Sequence, residues 1–275
     1  RLSLGEAGAI GLQALPVIIG CVAVALVVVT WVSRRLGLSA RLGTLIAAGT
    51  GICGATAIVA LSPTIRAKDS ETAYAVACIT VFGMAAMLAY PFAAHWLFDG
   101  DGFRAGLFLG TSVHETAQVA GAGLVYQEFF GSQEALDTAT VTKLVRNLGM
   151  LVVIPLLGFI YHRSSGEAGE SQPWYRMVPL FVLGFAAMSA VRTFGDLGVA
   201  GSDKAFGLLD PAQWSAIVSW TKQAAEVSLG VAMAAVGLGT SFAGLREIGL
   251  KPFAVGLVSA LLVGVVSYVL IMLLV

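Results

Sequence analysis

Long apolar segments dominate the chain, and short polar segments interrupt them at intervals. A membrane-spanning α-helix needs about 20 predominantly apolar residues. Eight segments reach that length: residues 13–33, 42–62, 71–98, 103–127, 139–161, 176–194, 212–242 and 251–275. The pattern predicts an all-α polytopic membrane protein with about eight transmembrane helices, in which residues 1–275 form a single transmembrane domain.

The polar connectors are too short to link separate domains, and we interpret them as loops. Residues 163–175 are predicted to be a cytoplasmic loop. Asp210 followed by Pro211 combines a good N-cap residue with a proline at the first helical position. This pair predicts that the seventh helix begins there.

Composition supports the membrane assignment. Apolar residues make up 57% of the chain and charged residues only 12%, whereas soluble domains carry about 25% charged residues. The net charge is zero and no basic block occurs, so membrane lipid is the expected partner and nucleic acid is not. The three cysteines lie in apolar segments and are interpreted as small buried residues, which favours neither disulfides nor a metal site.

The loop charges predict an orientation, because Lys and Arg concentrate in cytoplasmic loops. Eight such residues lie near the loops after the first, third, fifth and seventh predicted helices: Arg34, Arg35, Arg41, Arg104, Arg163, Arg176, Arg246 and Lys251. The alternate loops hold four: Arg66, Lys68, Arg192 and Lys204. The first set is therefore predicted to be cytoplasmic, with the C-terminus at Val275 on the outer side.

The second apolar segment contains an unusual cluster of small and polar residues. Gly49, Gly51 and Gly54 lie near its middle, together with Thr50 and Thr56. Glycines allow a helix to unwind, and the exposed N–H groups at the start of a half-helix favour an anion. Close packing against another helix through small residues explains the same pattern, and the sequence leaves both interpretations open.

The fourth apolar segment carries His114, Glu115 and Gln118 in its interior. An acidic or basic residue at the centre of a membrane helix costs about 2.5–3.5 kcal/mol, so each needs a partner or a cavity. At spacings of three and four these side chains line one polar stripe of a continuous helix. They are candidates for coupling or gating, and the alternative is an interhelical hydrogen-bond network.

The fifth segment adds Lys143, Arg146 and Asn147 on one helical face. Two cations facing Glu115 leave one positive charge, which suits an anion site. The alternative is that the long basic side chains extend to the membrane surface. Lys222 and Glu226 in the seventh segment are four residues apart and are interpreted as a structural pair.

Five segments resemble the YeiH-type family of proposed sulfate exporters. They read A-A-G-T-G-I-C-G-A-T-A at 47–57, V-F-G-M-A-A-M-L-A-Y-P at 81–91, G-T-S-V-H-E-T-A-Q-V-A-G-A-G at 110–123, K-L-V-R at 143–146 and A-M-A-A-V-G-L at 232–238. The resemblance implies a bacterial plasma (inner) membrane protein that moves sulfate, sulfite or a related sulfur oxyanion. It also implies about three helices ahead of Arg1, so the chain is expected to be N-terminally incomplete.

That family is grouped with bile-acid and cation/proton transporters, in which a panel domain supports a core domain with broken helices crossing near the midplane. The resemblance assigns such a crossing to residues 49–56. A short similarity between residues 6–17 and 244–255 is typical of transporters built from inverted repeats. Broken helices and an inverted-repeat architecture are therefore expected here.

We predict alternating-access transport of a small anion, without cofactor, metal or enzymatic activity. The predicted substrate-binding residues are Thr50, Gly51, Cys53, Gly54, Thr56, Lys143, Arg146 and Asn147. The predicted coupling or gating residues are His114, Glu115 and Gln118, with H⁺ or Na⁺ as the coupling ion. Whether the protein works as a homodimer stays open.

Two alternatives belong to other functional classes. A passive anion channel needs the same residues and is not separated from a transporter by the sequence. An intramembrane metalloprotease is suggested because H-E-T-A-Q begins like the zinc motif H-E-x-x-H. Gln118 stands where that motif needs its second histidine, which disfavours a zinc site.

Overall fold

The computed structural model describes residues 4–165, 180–239 and 250–275. Helices form every named element in these ranges, which confirms the predicted all-α class. They are α1 (Leu4–Val24), a π-helical segment (Ala25–Val29), α2 (Thr30–Arg35), α3 (Ala40–Gly51), α4 (Ala55–Thr64), α5 (Asp69–Leu97), α6 (Gly102–Ser112), α7 (Thr116–Phe130), α8 (Gln133–Leu148), α9 (Met150–Ser165), α10 (Leu180–Ser202), α11 (Pro211–Gly239) and α12 (Leu250–Leu274).

Side-chain caps fix where several of these helices begin. Ser39 Oγ accepts the Leu42 N–H at 3.1 Å before α3, and Asp101 caps α6 in the same way. Asp210 Oδ1 accepts the Gln213 N–H at 2.8 Å, which confirms the start predicted from the Asp-Pro pair. Each cap satisfies an N–H group that the helix itself leaves without a partner.

Four helical segments in the described part of the chain are long and apolar enough to cross a membrane. They are Gly5–Arg35, Asp69–Leu97, Gln133–Tyr161 and Lys251–Leu274. These correspond to the first, third, fifth and eighth predicted spans.

The second predicted span, residues 42–62, is a hairpin rather than a crossing. The chain turns at residues 52–54, and Gly49 on α3 packs against Ile58 on α4, with 2.7 Å between Ile58 Cδ1 and the position of a Cβ on Gly49. Ser39 Oγ donates to Glu71 Oε1 at 2.5 Å. Because Ser39 precedes α3 and Glu71 follows α4, both arms have their bases on the same side of the molecule. We call residues 40–64 the first hairpin.

The fourth predicted span, residues 103–127, is a second hairpin, formed by α6 and α7. Its chain turns at residues 113–115, and Gly102 at the start of α6 lies against Ser132 just beyond α7, with 2.4 Å from Ser132 Oγ to the position of a Cβ on Gly102. We call residues 102–130 the second hairpin. The expected broken helices are therefore confirmed, with breaks at residues 52–54 and 113–115, whereas a continuous crossing helix is wrong for both segments. A 12-residue arm is about 18 Å long, roughly half of a 30 Å hydrocarbon core.

The two hairpins enter from opposite faces. We call the face with residues 36–39 and 65–68 face A, and the face with residues 98–101 and 131–132 face B. Helix α5 connects the base of the first hairpin on face A to the base of the second on face B. Helices α8 and α9 return to face A, where Arg41 Nε donates to Tyr161 OH at 3.0 Å.

Helix α12 runs from face A to face B alongside α5. Tyr90 OH on α5 donates to the Ala260 carbonyl at 3.1 Å, and Arg104 donates to the Val275 oxygen at 2.9 Å. Arg104 and Val275 therefore lie on the same face. The loop alternation had predicted opposite faces for them, and it fails because it counted both hairpins as crossings.

The hairpins change how the basic residues are divided between the two faces. In the described ranges, face A and the helix ends that reach it carry Arg34, Arg35, Arg41, Arg66, Lys68, Arg163 and Lys251, whereas the bases on face B carry Arg104. Arg66 and Lys68 thus lie on the same face as Arg34, Arg35 and Arg41, whereas the sequence had predicted opposite faces.

Two apolar clusters hold the hairpins in place. One packs the first hairpin against the π-helical segment, α5 and α9, around Leu45, Ile46 and Ile58. The other packs the second hairpin against α1, α8 and α12. All three cysteines are buried with free thiols, as predicted. Residues 166–175 of the predicted loop and residues 244–249 of the predicted repeat lie outside the described residues.

Candidate functional site

The tips of the two hairpins meet inside the molecule. Gly54 in the first tip has φ of +71°, and a Cβ there would lie 2.5 Å from Glu115 Cγ and 3.4 Å from the His114 carbonyl in the second tip. A residue other than glycine would meet both backbone strain and a steric clash at this point. Gly54 is therefore the position at which the tips make contact.

Lys143 on α8 binds both tips at once. Its side chain is fully buried, and its ammonium donates to the carbonyls of Ile52 at 3.0 Å and Val113 at 3.1 Å. A third, short hydrogen bond goes to the His114 carbonyl. An ammonium has three hydrogens to donate, so these three bonds use its donor capacity.

Arg146, one helical turn further along α8, binds the same two tips. Nε donates to the Gly51 carbonyl at 2.8 Å and Nη1 to the Thr111 carbonyl at 2.7 Å. Nη2 makes a short hydrogen bond to the Thr50 carbonyl. The last carbonyls of a helix lack partners within it and carry partial negative charge. Both cations thus complete the C-terminal ends of α3 and α6.

This arrangement differs from the contact with Glu115 that the sequence suggested for Lys143 and Arg146, and their part in binding a substrate stays a prediction. The sequence suggested that they face an anion or Glu115, but their recorded hydrogen bonds all go to backbone carbonyls. Both side chains are 0% exposed, which does not fit extension to the membrane surface either. They position the tips.

A pocket lies where α4 and α7, the second arms of the two hairpins, begin. Its volume is about 440 Å³. The lining residues are Cys53, Ala55 and Thr56 of the first hairpin and Glu115, Thr116, Ala117 and Ala120 of the second. All lie at or within the first turns of α4 and α7, where backbone N–H groups give a helix a positive end. Two such ends at one pocket favour an anion.

Glu115 is the carboxylate in this lining, and it is tied to α5. Glu115 Oε1 accepts a hydrogen bond from Thr80 Oγ1 at 3.0 Å. Gln118 Oε1 accepts the Glu115 N–H at 3.3 Å, and Gln118 Nε2 donates to the Thr80 carbonyl at 3.1 Å. These three residues form one closed network between the second tip and α5.

Several polar groups near the tips keep hydrogen-bonding capacity. Asn147 Nδ2 donates to Thr116 Oγ1 at 3.1 Å, while Asn147 Oδ1 has no partner among the described residues. Within the same ranges, both ring nitrogens of His114 and the hydroxyl of Thr50 are buried without one. Buried polar groups are nearly always paired, so these atoms near the tips could still bind a further partner.

Comparison with known proteins assigns the chain to a family. Residues 1–256 match the family described as conserved hypothetical protein 698. The chain belongs to this family. Its relatives include a UPF0324 membrane protein of Bacillus cereus, 30% identical over 98% of this chain and 73% of its own length. A UPF0324 membrane protein of Bordetella bronchiseptica is 33% identical over 94% of this chain and 74% of its own length. No solved structure matches the chain.

The names of these relatives state a membrane location and no substrate. They agree with the helical fold, so this family member is an integral membrane protein. The more specific resemblance to sulfate exporters bears on function and is taken up below.

His114, Glu115 and Gln118 were predicted to line one face of a continuous helix in the fourth segment, and that prediction is wrong. The helix is broken at residues 113–115, so His114 and Glu115 lie in the turn and Gln118 in the first turn of α7. Of the predicted site residues, Cys53, Thr56 and Glu115 line the pocket. The others lie at the tip contact or behind it, around the two cations.

The sequence prediction missed Thr80, Thr116 and the hairpin geometry, although a signal for the second break was present. G-T-G-I-C-G-A-T-A-I at 49–58 and G-T-S-V-H-E-T-A-Q-V at 110–119 share Gly-Thr at the start and a β-branched aliphatic residue at the fourth and tenth positions. The two tips are copies of one pattern. Comparing them would have predicted that both segments break at the same place.

Proposed function

We propose that this protein is a secondary active transporter of a small anion, with sulfate, sulfite or a related sulfur-containing oxyanion as the substrate class. The observation that carries the proposal is the convergence of the α4 and α7 N-terminal ends, from opposite hairpins, at one pocket. The resemblance to YeiH-type exporters supports the choice of oxyanion.

The proposed substrate contacts are the backbone N–H groups and hydroxyls at these helix starts. Thr56 and Thr116 supply hydroxyls to the lining, and Cys53 supplies a thiol. Lys143 and Arg146 act from behind the tips by fixing their geometry and adding positive potential. Preorganised donors of this kind bind an anion without reorganising when it arrives.

The hairpins suggest how access alternates. The base of the first hairpin lies on face A and that of the second on face B. Withdrawal of the first tip would open the pocket toward face A, and withdrawal of the second would open it toward face B. Glu115 moves with the second tip, so we assign it the coupling role, with His114 and Gln118 as gating residues and H⁺ or Na⁺ as the coupling ion.

Orientation and location are part of the proposal. With face A in the cytoplasm, the Lys and Arg residues follow the positive-inside rule, and Val275 lies on the outer side. We propose a bacterial plasma membrane location and no enzymatic step. The metalloprotease alternative is disfavoured, because the Gln118 amide, at the position where a zinc motif needs histidine, bonds Glu115 and Thr80 at both ends.

Flux into proteoliposomes tests the proposal. Purified protein should accumulate radioactive sulfate or sulfite against its gradient when a pH or sodium gradient is imposed, and the rate should saturate. Thr56→Val should reduce the rate about tenfold, because it removes a hydroxyl from the lining at a cost of roughly 1.4 kcal/mol. Thr44→Val is the control on the same hairpin, since Thr44 bonds only within α3.

The outcome separates the transporter from the channel. Flux that never saturates and never runs uphill would identify a passive channel. If no oxyanion moves under any gradient, the proposal is wrong.

A further inference from the structure

The charge at the meeting point of the hairpins can be counted from the residues that form it. Each tip brings together the C-terminal end of one helix and the N-terminal end of the next, so their opposite partial charges offset each other. Three side chains with a formal charge lie there: Lys143 and Arg146, which bind both tips, and Glu115, which lines the pocket. With Glu115 ionised, the sum is a single positive charge.

We propose that Glu115 matches the site to the valence of its substrate: a divalent oxyanion binds together with one proton on Glu115, and a monovalent oxyanion binds with Glu115 ionised. The inference rests on the proposed function and names its coupling stoichiometry. An uncompensated charge costs more inside a protein than it does in water. A monoanion neutralises the single positive charge, whereas a dianion is neutralised only after the carboxylate has taken up a proton.

Lys143 connects the charge count to the pocket directly. It donates to the carbonyl of His114, the residue before Glu115 in the chain. The Lys143 ammonium thus binds the backbone directly next to the residue that carries the carboxylate of the pocket. A proton gained by Glu115 changes the charge that the substrate meets by one full unit.

Other ionisable and polar groups surround Glu115. The first tip contributes the thiol of Cys53, the second tip the imidazole of His114, and α5 the hydroxyl of Thr80. Helix α8 contributes Asn147, which bonds Thr116, besides its two cations.

Helix α11 packs against α7 and carries Lys222 and Glu226. Their side chains lie outside the described residues. They carry opposite charges, so as a pair they leave the count unchanged. His114 is the one rival proton acceptor in the described part of the site that the test must separate from Glu115.

The proton balance makes the coupling explicit. The carboxylate takes its proton from the solution on the open face when the dianion binds, and returns it to the opposite face when the dianion leaves. One proton therefore travels with each divalent anion, and none travels with a monovalent one.

Sulfate and perchlorate form a matched pair for the test, because both are tetrahedral oxyanions and they differ by one charge. Binding of each to the purified full chain in lipid nanodiscs is measured by calorimetry from acidic to alkaline pH. Sulfate should weaken about tenfold per pH unit once Glu115 ionises, as linkage to one proton requires. Perchlorate should show no such slope. Buffers of different ionisation enthalpy should report about one proton taken up with sulfate and none with perchlorate.

Three variants assign the proton. Glu115→Gln should make sulfate binding independent of pH, and His114→Gln should leave the slope intact. Glu128→Gln is the matched control, an exposed glutamate on the same helix. Thr80→Val keeps the carboxylate but removes its hydroxyl donor, so sulfate binding should extend to higher pH even if Glu115→Gln fails to fold.

The outcomes distinguish this inference from the proposed function. If neither anion binds the wild-type protein, the proposed function fails. If both bind with the same pH dependence, or if His114→Gln rather than Glu115→Gln removes the slope, the valence rule is wrong while anion binding stands. An unchanged pH range in Thr80→Val would also contradict it.

Discussion

The two hairpin tips share Gly-Thr and two β-branched positions, and they differ in size and charge where they meet. The first tip has Cys53 and Gly54, and the second has His114 and Glu115 at the equivalent positions. The first is small enough to be approached closely, and the second carries the ionisable groups. A repeated element thus supplies matching helix ends from both faces, while only one copy supplies a charge that can change.

Loss of Lys143, the cation that binds both tips, should have the largest effect on stability. Lys143→Met removes the ammonium that binds the carbonyls of Ile52, Val113 and His114. Each buried group that is left without a hydrogen bond costs about 1–3 kcal/mol. We expect loss of the folded protein or a large decrease in Tm, measured by thermal unfolding in detergent. Lys68→Met, at an exposed position on face A, should have little effect; equal decreases would contradict the role of Lys143.

Gly54→Ala tests whether contact or backbone conformation limits the first tip. The change introduces both a φ penalty and a clash with Glu115, so we expect about 3 kcal/mol of destabilisation and lost transport. Gly131→Ala has the same φ of +71° with nothing within 4 Å of the new Cβ and should cost only about 1 kcal/mol. Unfolding of both variants separates the two contributions. Similar values would mean that the tips do not press against each other.

Cysteine labelling compares the pocket with the rest of the core. All three cysteines are buried, but Cys53 alone among them lines the pocket. A small membrane-permeant thiol reagent should therefore modify Cys53 about tenfold faster than Cys21 or Cys78 when the pocket opens, and sulfate should slow that reaction. Mass spectrometry of digested protein measures each rate. Equal rates at all three cysteines would contradict the assignment of Cys53 to an accessible pocket.

The smallest effect is expected at the hairpin bases. Ser39 and Asp101 cap α3 and α6 at corresponding positions. Replacing either by alanine should cost about 1 kcal/mol through the lost N-cap. The two losses should be similar, because Ser39 also donates to Glu71 and Asp101 also pairs with Arg104 at 3.8 Å. Thermal unfolding of both variants checks this, and a loss well above about 1 kcal/mol in one of them would mean that its second contact contributes more than the cap.

The sequence predicted the helical class, the start at Asp210 and the unusual character of residues 49–56. It did not predict the hairpins, because 21 apolar residues at 42–62 satisfy the length of a crossing helix as well as that of two short arms. Reversal of the chain after Gly54 depends on contacts from elsewhere in the sequence, such as Gly49 against Ile58 and Lys143 against Ile52.

The role of the basic residues was only partly predictable for a similar reason. Spacing places Lys143, Arg146 and Asn147 on one face of α8, and the structure agrees that this face is buried. Spacing does not reveal whether the acceptor is a carboxylate, a substrate or a backbone carbonyl. The carbonyls exist as acceptors only because the two helices end there, and those ends result from the tertiary fold.

Lys143 has a further consequence for the electrical insulation of the membrane. One ammonium group binds both tips. If one tip withdraws, Lys143 stays bound to the other tip and has an N–H group free to form a further hydrogen bond there. Withdrawing both together would strand a charge in the membrane interior with none of its partners. A state open to both faces, through which ions would dissipate the membrane potential, is thereby the most costly arrangement for this pair of hairpins.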